Sequence, residues 1–289
     1  MATTLIRFLV PGTRNSFRCG GLSVELQTAR LLAGLCVTEV VTYRQRQDDL
    51  AFLGDCLQRE EPDRSILWIV SWGFDVPKLI RRLRGHRVAY HAHSSGYGFD
   101  LPAGVPVLAV SRNTLGYWGA RAPRNPLCLV PNALADPWFK RGARGSEGAR
   151  PIDVLVQARK SSPYVLNQLV PALQRVGLKV EVQNGWVDDL VELFNQSTLY
   201  IYDSADYWRG RGVTEGFGLP PLEALACGCV VFSSLNHALA DYGAPCRTVH
   251  QIGCGRLEFD VHRIKCAVRN PAQWCPQVDQ LEADLAPYT

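Results

Sequence analysis

At 289 residues the chain exceeds a comfortable single core and accommodates two domains of roughly 100–150 residues each. Hydrophobic residues make up 47% and charged residues 20%, a composition that excludes a disordered or membrane-embedded chain. The net charge of +4 is too small to argue for nucleic acid and suits an anionic ligand or an anionic membrane surface.

The N-terminal stretch MATTLIRFLVPGTRN carries a short apolar run broken by Arg7 and Pro11, which predicts a first strand rather than a secretory leader. No segment approaches the roughly 18 uninterrupted apolar residues of a spanning helix, so the expected location is the cytoplasm. Glu25 and Arg30 precede the run ending at Cys36 and argue against lipid attachment there. The ten cysteines then read as reduced, buried small apolar residues. Cys227 and Cys229 form C-x-C rather than C-x-x-C, and Cys246, Cys254, His262, Cys266 and Cys275 are spaced too irregularly for a zinc knuckle.

Along the first half, LIRFLVPG predicts a strand and GGLSVELQTARLLAGL a helix with Leu22, Leu26, Ala29 and Ala33 on one face. TEVVTYR and ILWIVSW predict strands, PKLIRRLRG a short helix, and RVAYHAH, VPVLAVS and LCLVPNA three further strands. The polar, Gly-rich KRGARGSEGARP predicts a linker at about residues 140–151, dividing the chain into domains 1–140 and 151–289. Beyond it, IDVLVQA, KVEVQNG, TLYIYDS and CVVFSS predict strands. SPYVLNQLVPALQRVG, interrupted at Pro171, DDLVELFNQS and LPPLEALACG predict helices. Strands alternating with helices imply parallel sheets, so the fold class is α/β, with two Rossmann-like doubly wound domains facing a cleft. The C-terminal tail, with Trp274 and QVDQLEADL, is expected to pack back on the N-terminal domain.

The segment TEGFGLPPLEALACG concentrates the chemistry. Gly216 and Gly218 let the backbone approach a ligand, Glu215 sits on the loop, and Glu223 is placed in the first turn of the following helix. A helix N-terminus suits a phosphate, and carboxylates accept hydrogen bonds from sugar or ribose hydroxyls. The same pattern also describes an ordinary capped α/β loop. Asp48–Asp49 and Asp188–Asp189 read as solvent-facing residues at helix starts, and no D-x-D is present, so no metal and no cofactor are expected.

EGFGLPPLEALACG closely resembles the E-x7-E motif of the family 4 retaining glycosyltransferases, which have the GT-B fold. RCGGLSVELQTARLL, PVLAVSRNTLGYWG and LCLVPNAL resemble the family more loosely. The resemblance implies that Glu223 binds the ribose of a nucleotide-sugar donor and that Glu215 lies near the donor sugar. Backbone N–H groups of Gly216, Phe217, Gly218 and Leu219 would cradle sugar and phosphate. Arg159 and Lys160 would neutralise the diphosphate; they are adjacent here, whereas the family separates its Arg and Lys. His93, with His91 as second choice, would hydrogen-bond the donor sugar, Gly21 would approach the transferred group, and Trp186 and Val187 would contact the base. The insertion DYWRGRGV departs from the family pattern and would shape or cover the donor pocket.

Lys78, Arg81, Arg82 and Arg84 on a basic helix offer a peripheral contact with the inner membrane face. The implied function is a retaining, metal-independent transfer of a hexose to a hydroxyl acceptor, either a glycan, a lipid-linked acceptor or a small molecule. The alternatives are a non-catalytic sugar-nucleotide sensor or partner subunit, and a GT-B sugar-nucleotide epimerase.

Overall fold

The computed structural model describes residues 5–71, 73–139, 150–253 and 255–289. The expected linker falls almost wholly outside the described residues, as does Cys254. The chain divides into two compact units, Met1–Ala133 and Leu134–Thr289.

The first unit runs β1 (Leu5–Val10), α1 (Gly20–Leu32), β2 (Val37–Thr42), β3 (Ala51–Phe52), α2 (Leu53–Arg59), β4 (Ile66–Val70), α3 (Val76–Arg82), β5 (Arg87–Ala92), β6 (Val107–Ala109), α4 (Arg112–Arg121) and β7 (Leu127–Leu129). Its strands form a sheet in the order β3-β2-β1-β4-β5-β6-β7, with all strand pairs parallel. Both faces are covered, so its central strands read as near-continuous apolar runs. Alternate residues serve opposite layers. Phe8, Ile69 and Ala89 pack with Ala29 of α1, whereas Leu9, Val70 and Tyr90 pack with Leu53, Leu79 and Trp118 of α2, α3 and α4. The edge strand β3 has two residues, too short to carry a period, and AFLGDCLQR left no pattern that predicts it or α2.

The second unit runs β8 (Ile152–Gln157), α5 (Val170–Arg175), β9 (Val180–Gln183), α6 (Leu190–Asn195), β10 (Ser197–Tyr202), α7 (Ala205–Arg209), α8 (Leu219–Ala226), β11 (Val230–Ser233), β12 (His250–Gln251), α9 (Leu257–Arg269) and α10 (Val278–Leu285). Its sheet order is β12-β11-β10-β8-β9, again parallel throughout. Val154, Val156, Leu199, Ile201 and Phe232 form one layer with Leu169, Leu173 and Ile264. Leu155, Tyr200 and Val231 are buried in the opposite direction along the same strands.

Pro171 acts as expected but by a specific route. A π-helical turn, Val165–Leu169, precedes α5, and the Val170 N–H bonds Val165 O, so the ring enters at the first turn of a new helix where its missing N–H costs nothing. Asp48–Asp49 differ from expectation: they lie in a turn closed by the Gln47–Leu50 bridge, not at a helix start. Asp189 does cap α6, accepting from the Glu192 N–H at 2.9 Å. In the tail, α10 buries Leu281 and Leu285, and Tyr288 packs on Phe217 and Tyr242, all within the second unit. Arg247 pairs with Asp284 at 2.7 Å on the same unit.

Arg7, which interrupts the first apolar run, is 6% exposed in the middle of β1. Its guanidinium pairs with Glu39 at 2.7 Å and Glu60 at 2.5 Å and lies 4.8 Å from the centre of the Trp68 ring. The Glu60 hydrogen bond outweighs the opposing effect of burial, and the cation is held protonated more firmly than an ordinary arginine. Removing one partner of such a group strands the others without their counter-charge. Arg7→Met is therefore expected to lower the unfolding free energy by about 3–5 kcal/mol, measured by urea denaturation. A loss below about 1 kcal/mol would show that the network is solvated rather than structural.

Candidate functional site

Ligands of open parallel sheets bind beyond the carboxyl ends of the strands. In the second unit that edge collects the residues singled out in the sequence. β8 ends at Gln157 and turns through a short 3-10 segment carrying Arg159 and Lys160. β9 ends at Gln183 and leads into the loop with Trp186 and Val187. β10 ends at Tyr202, and the following α7 leads to the Glu215 loop and α8. Gln157, Gln183, Leu190, Tyr200 and Pro220 line a small cleft on this edge.

Glu215 is 4% exposed and its carboxylate is filled. Oε2 accepts from Tyr202 Oη at 2.6 Å, Trp208 Nε1 at 2.6 Å and Ser204 Oγ at 3.1 Å. Oε1 pairs with Lys160 Nζ at 3.5 Å. The Glu215 N–H donates to His237 Nδ1 at 3.2 Å. Lys160 also donates to Tyr202 Oη at 3.0 Å and lies 4.6 Å from the centre of the Trp208 ring. A buried carboxylate must be hydrogen-bonded and paired, and this one is. The inserted DYWRGRGV therefore supplies Trp208 as a donor to the loop glutamate. Tyr202, Ser204, Trp208 and His237 were missed from sequence; a tyrosine and a tryptophan among short polar residues after a strand were the available signal.

Glu223 lies in the second turn of α8, not the first, because the helix begins at Leu219. The helix dipole therefore helps its carboxylate less than expected. Burial pushes its carboxyl up to about 8, against the opposing charge of Lys160. The same ammonium thus acts on both glutamates. At the helix start, Pro220 and Pro221 remove two of the first backbone donors, which leaves the Leu219 N–H and the loop before it to meet an anion. Gly218 adopts φ +83°, and a Cβ there would meet Leu239 Cδ2 at 2.2 Å and Tyr242 Oη at 2.9 Å. Its carbonyl accepts from Tyr242 Oη. Phe217 turns its side chain inward against Tyr242 and Tyr288. Arg159 is exposed, and Trp186 is 66% exposed, donating from Nε1 to Asp188 at 3.0 Å.

In the first unit, Gly20 and Gly21 open α1 rather than preceding it. Glu25, on the second turn, is 1% exposed. Its Oε1 receives His91 Nδ1 at 2.6 Å and His93 Nε2 at 2.7 Å. Burial disfavours the Glu25 carboxylate, but the two imidazoles outweigh it and hold the group down at about 2. Burial and the neighbouring His91 lower His93, against Glu25. Glu25 was missed as a site residue because a glutamate at a core position of a helical pattern looks like a misplaced surface charge. Among the described residues these three form the one set whose ligand atoms, within 4.8 Å of one another, could hold a metal ion. Two nitrogens at 2.6–2.7 Å from one oxygen have hydrogen-bond geometry, tighter than ligands spread around a metal. Cys246, His262, Cys266 and Cys275 form no such set.

Residues 174–244, which contain both Glu215 and Glu223, match the family described as glycosyl transferases group 1. An 84-residue stretch is 33% identical to the serotype-specific mannosyltransferase WbdA of Escherichia coli; it covers 28% of this chain and 9% of that protein. Nearly the whole chain superposes on solved GT-B enzymes. Sucrose-phosphate synthase of Thermosynechococcus elongatus gives a TM-score of 0.67 at 12% identity over 99% of this chain and 95% of that one. A glycosyltransferase of Rickettsia africae gives 0.65 at 11% identity over 99% and 93%. Anabaena HepE, solved with UDP-glucose, gives 0.63 at 16% identity over 98% and 93%. No helix among the described residues is long and apolar enough to cross a membrane.

Two consequences are measurable. Gly218→Ala is expected to cost more than about 2 kcal/mol, since it adds a clash to a left-handed backbone; a cost below about 0.5 kcal/mol would mean that the Leu239 wall yields. A carboxyl raised from 4.5 to about 8 stabilises the fold below its unfolded value and loses that contribution as pH rises toward 8. Stability should therefore fall between these limits in the wild type by more than in Glu223→Gln, read by urea denaturation as a function of pH. Parallel profiles would refute the buried-carboxyl assignment. The fold is GT-B, and the family match in the second unit supports a glycosyltransferase.

Proposed function

We propose that the chain is a retaining glycosyltransferase that moves a hexose from a nucleoside-diphosphate sugar to a hydroxyl acceptor, without a metal. The observation that carries this reading is the convergence of Arg159, Lys160, the Glu215 loop and Glu223 on the carboxyl edge of one parallel sheet. That edge offers cationic charge for a diphosphate beside carboxyl groups for sugar and ribose hydroxyls.

In this reading the exposed Arg159 meets the departing diphosphate, with Lys160 behind it. Backbone N–H groups of the loop from Gly216 to Leu219 bind the phosphate and sugar. Glu223, protonated when unoccupied, both donates to and accepts from ribose hydroxyls. Trp186 and Val187 cover the base from the β9 loop. Glu215 fixes the loop through its three donors, and its Oε1 faces the donor sugar beside Lys160. In the first unit, His93, with His91 as second choice, hydrogen-bonds a sugar hydroxyl, and Gly21 lets the backbone approach the transferred group. As negative charge develops on the leaving phosphate, the two cations stabilise it, and the phosphate takes the proton of the attacking hydroxyl. Lys78, Arg81, Arg82 and Arg84, on α3 and just after it, are exposed while Val76 and Leu79 are buried, which suits contact with an anionic membrane that carries the acceptor.

The test incubates the purified protein with chelator and a panel of UDP-, GDP- and ADP-sugars, following donor binding by calorimetry and nucleotide release with an acceptor library. One donor should bind and turn over. Arg159→Ala should weaken its binding about tenfold or more, and Glu223→Ala about tenfold. Binding without turnover would favour a sugar-nucleotide sensor, and conversion of the donor to an epimer would favour an epimerase. No binding by any donor would remove the site.

A further inference from the structure

The buried Glu25, His91 and His93 group is not explained by packing. A carboxylate at 1% exposure in a helix face that otherwise buries Leu22, Val24 and Ala29 costs free energy that an apolar residue would not. Nor is the group arranged as a self-sufficient ion cluster. Glu25 Oε2 and His91 Nε2 are both buried without a hydrogen-bond partner, so neither histidine is placed to satisfy the carboxylate fully. Both rings are turned onto one oxygen instead. His91 and His93 stand two apart on one side of the extended β5 end, with ring centres 4.3 Å apart.

We propose that Glu25 is a positioning residue that holds His93 in the Nε2–H tautomer, so that the Nδ1 lone pair is presented to a substrate hydroxyl. A carboxylate oxygen accepts only, so the His93 nitrogen 2.7 Å from it carries the proton. Among the described residues the remaining nitrogen, Nδ1, has no hydrogen-bond partner, and it is not one of the buried unpartnered atoms. The His93 side chain keeps 16% of its surface exposed, which leaves an approach to the ring. Burial keeps the ring neutral, which leaves that lone pair unprotonated. A neutral, oriented Nδ1 accepts a hydrogen bond from a hydroxyl and rejects a cation-only role. The buried His91 occupies the second lobe of Oε1 and prevents the carboxylate from turning away. The start of α1 lies alongside: a Cβ built on Gly21 would come within 3.9 Å of His93 Cδ2, so the glycine leaves that edge of the ring uncovered.

This inference rests on the transferase reading for the identity of the hydroxyl, a sugar or acceptor group, but its structural core does not. The experiment therefore has two arms. In the first, the full chain is labelled with 15N in its histidine rings, and two-bond nitrogen–proton spectra read each tautomer in wild type, Glu25→Gln and Glu25→Asp. Wild-type His93 should be protonated at Nε2 and bare at Nδ1. Glu25→Gln, whose uncharged amide holds the two ring N–H donors less firmly and can turn its NH2 group toward a ring nitrogen, should shift the tautomer of His91 or His93, and Glu25→Asp should retain the wild-type pattern in part. In the second arm, steady-state kinetics with the donor found above should show kcat falling about 100-fold in Glu25→Gln with the donor KM within about twofold, and partial recovery in Glu25→Asp.

A wild-type His93 protonated at Nδ1 would overturn the proposal, whether or not the variants fold. So would stoichiometric zinc or manganese in the purified protein with both ring nitrogens ligated. An altered tautomer in Glu25→Gln with kcat unchanged would overturn the positioning role as well. If the wild-type chain transfers no sugar at all, the transferase reading fails, while the spectra still decide the tautomer.

Discussion

A carboxylate cannot be buried without donors around it, and the Glu215 loop is organised by that requirement. At 4% exposure its two oxygens need partners, and they draw them from three places in the chain. Tyr202 comes from the end of β10, Ser204 and Trp208 from the segment after it, and Lys160 from the end of β8. Each partner thereby gains a fixed position on the sheet edge. The inserted α7 segment is held down by Trp208, and Lys160 is withdrawn from solvent to sit against that indole. Arg159, next in sequence, is exposed. One charged group, stabilised by a network, converts flexible loop into defined surface.

Glu25 in the first unit and Glu223 in the second show how environment decides the protonation of one side-chain type. Glu25, fully buried, and Glu223, half-buried, both lie on the second turn of a helix. Glu25 has two imidazoles on one oxygen and stays a carboxylate at about 2. Glu223 has only the more distant charge of Lys160 to offset burial, and rises to about 8. The first is therefore a permanent acceptor that orients donors. The second can donate as well as accept, which suits a pair of vicinal hydroxyls. Lys160 couples the chemistry of the loop to that of the helix, since it pairs with Glu215 and acts on Glu223.

Much of the architecture was legible because parallel strands covered on both faces read as unbroken apolar runs. β1, β4, β5, β8, β10 and β11 were read from such runs, and the Pro start and Gly stop of α8 were visible in LPPLEALACG. What escaped was short or irregular. β3 has two residues and no period, α2 follows it directly, and α9 lies in a tail whose charged face obscured its apolar one. At the site, Glu215, Glu223, Arg159 and Lys160 were found through a motif, but their partners were not. Tyr202, Trp208 and His237 stand 13, 7 and 22 positions from Glu215, and Glu25 stands 66 and 68 from its histidines, so no local pattern joins them. Placing Glu223 one turn early followed from treating Pro220 as the helix start, when Leu219 already belongs to it.

The central claim is that the carboxyl edge of the second sheet holds a nucleoside-diphosphate sugar. Hydrogen–deuterium exchange of the full chain, with and without saturating UDP-, GDP- and ADP-sugars, tests it most directly. One donor should slow exchange at residues 157–160, 184–189 and 214–219 together. Protection confined to other segments, or none with any donor, would contradict it.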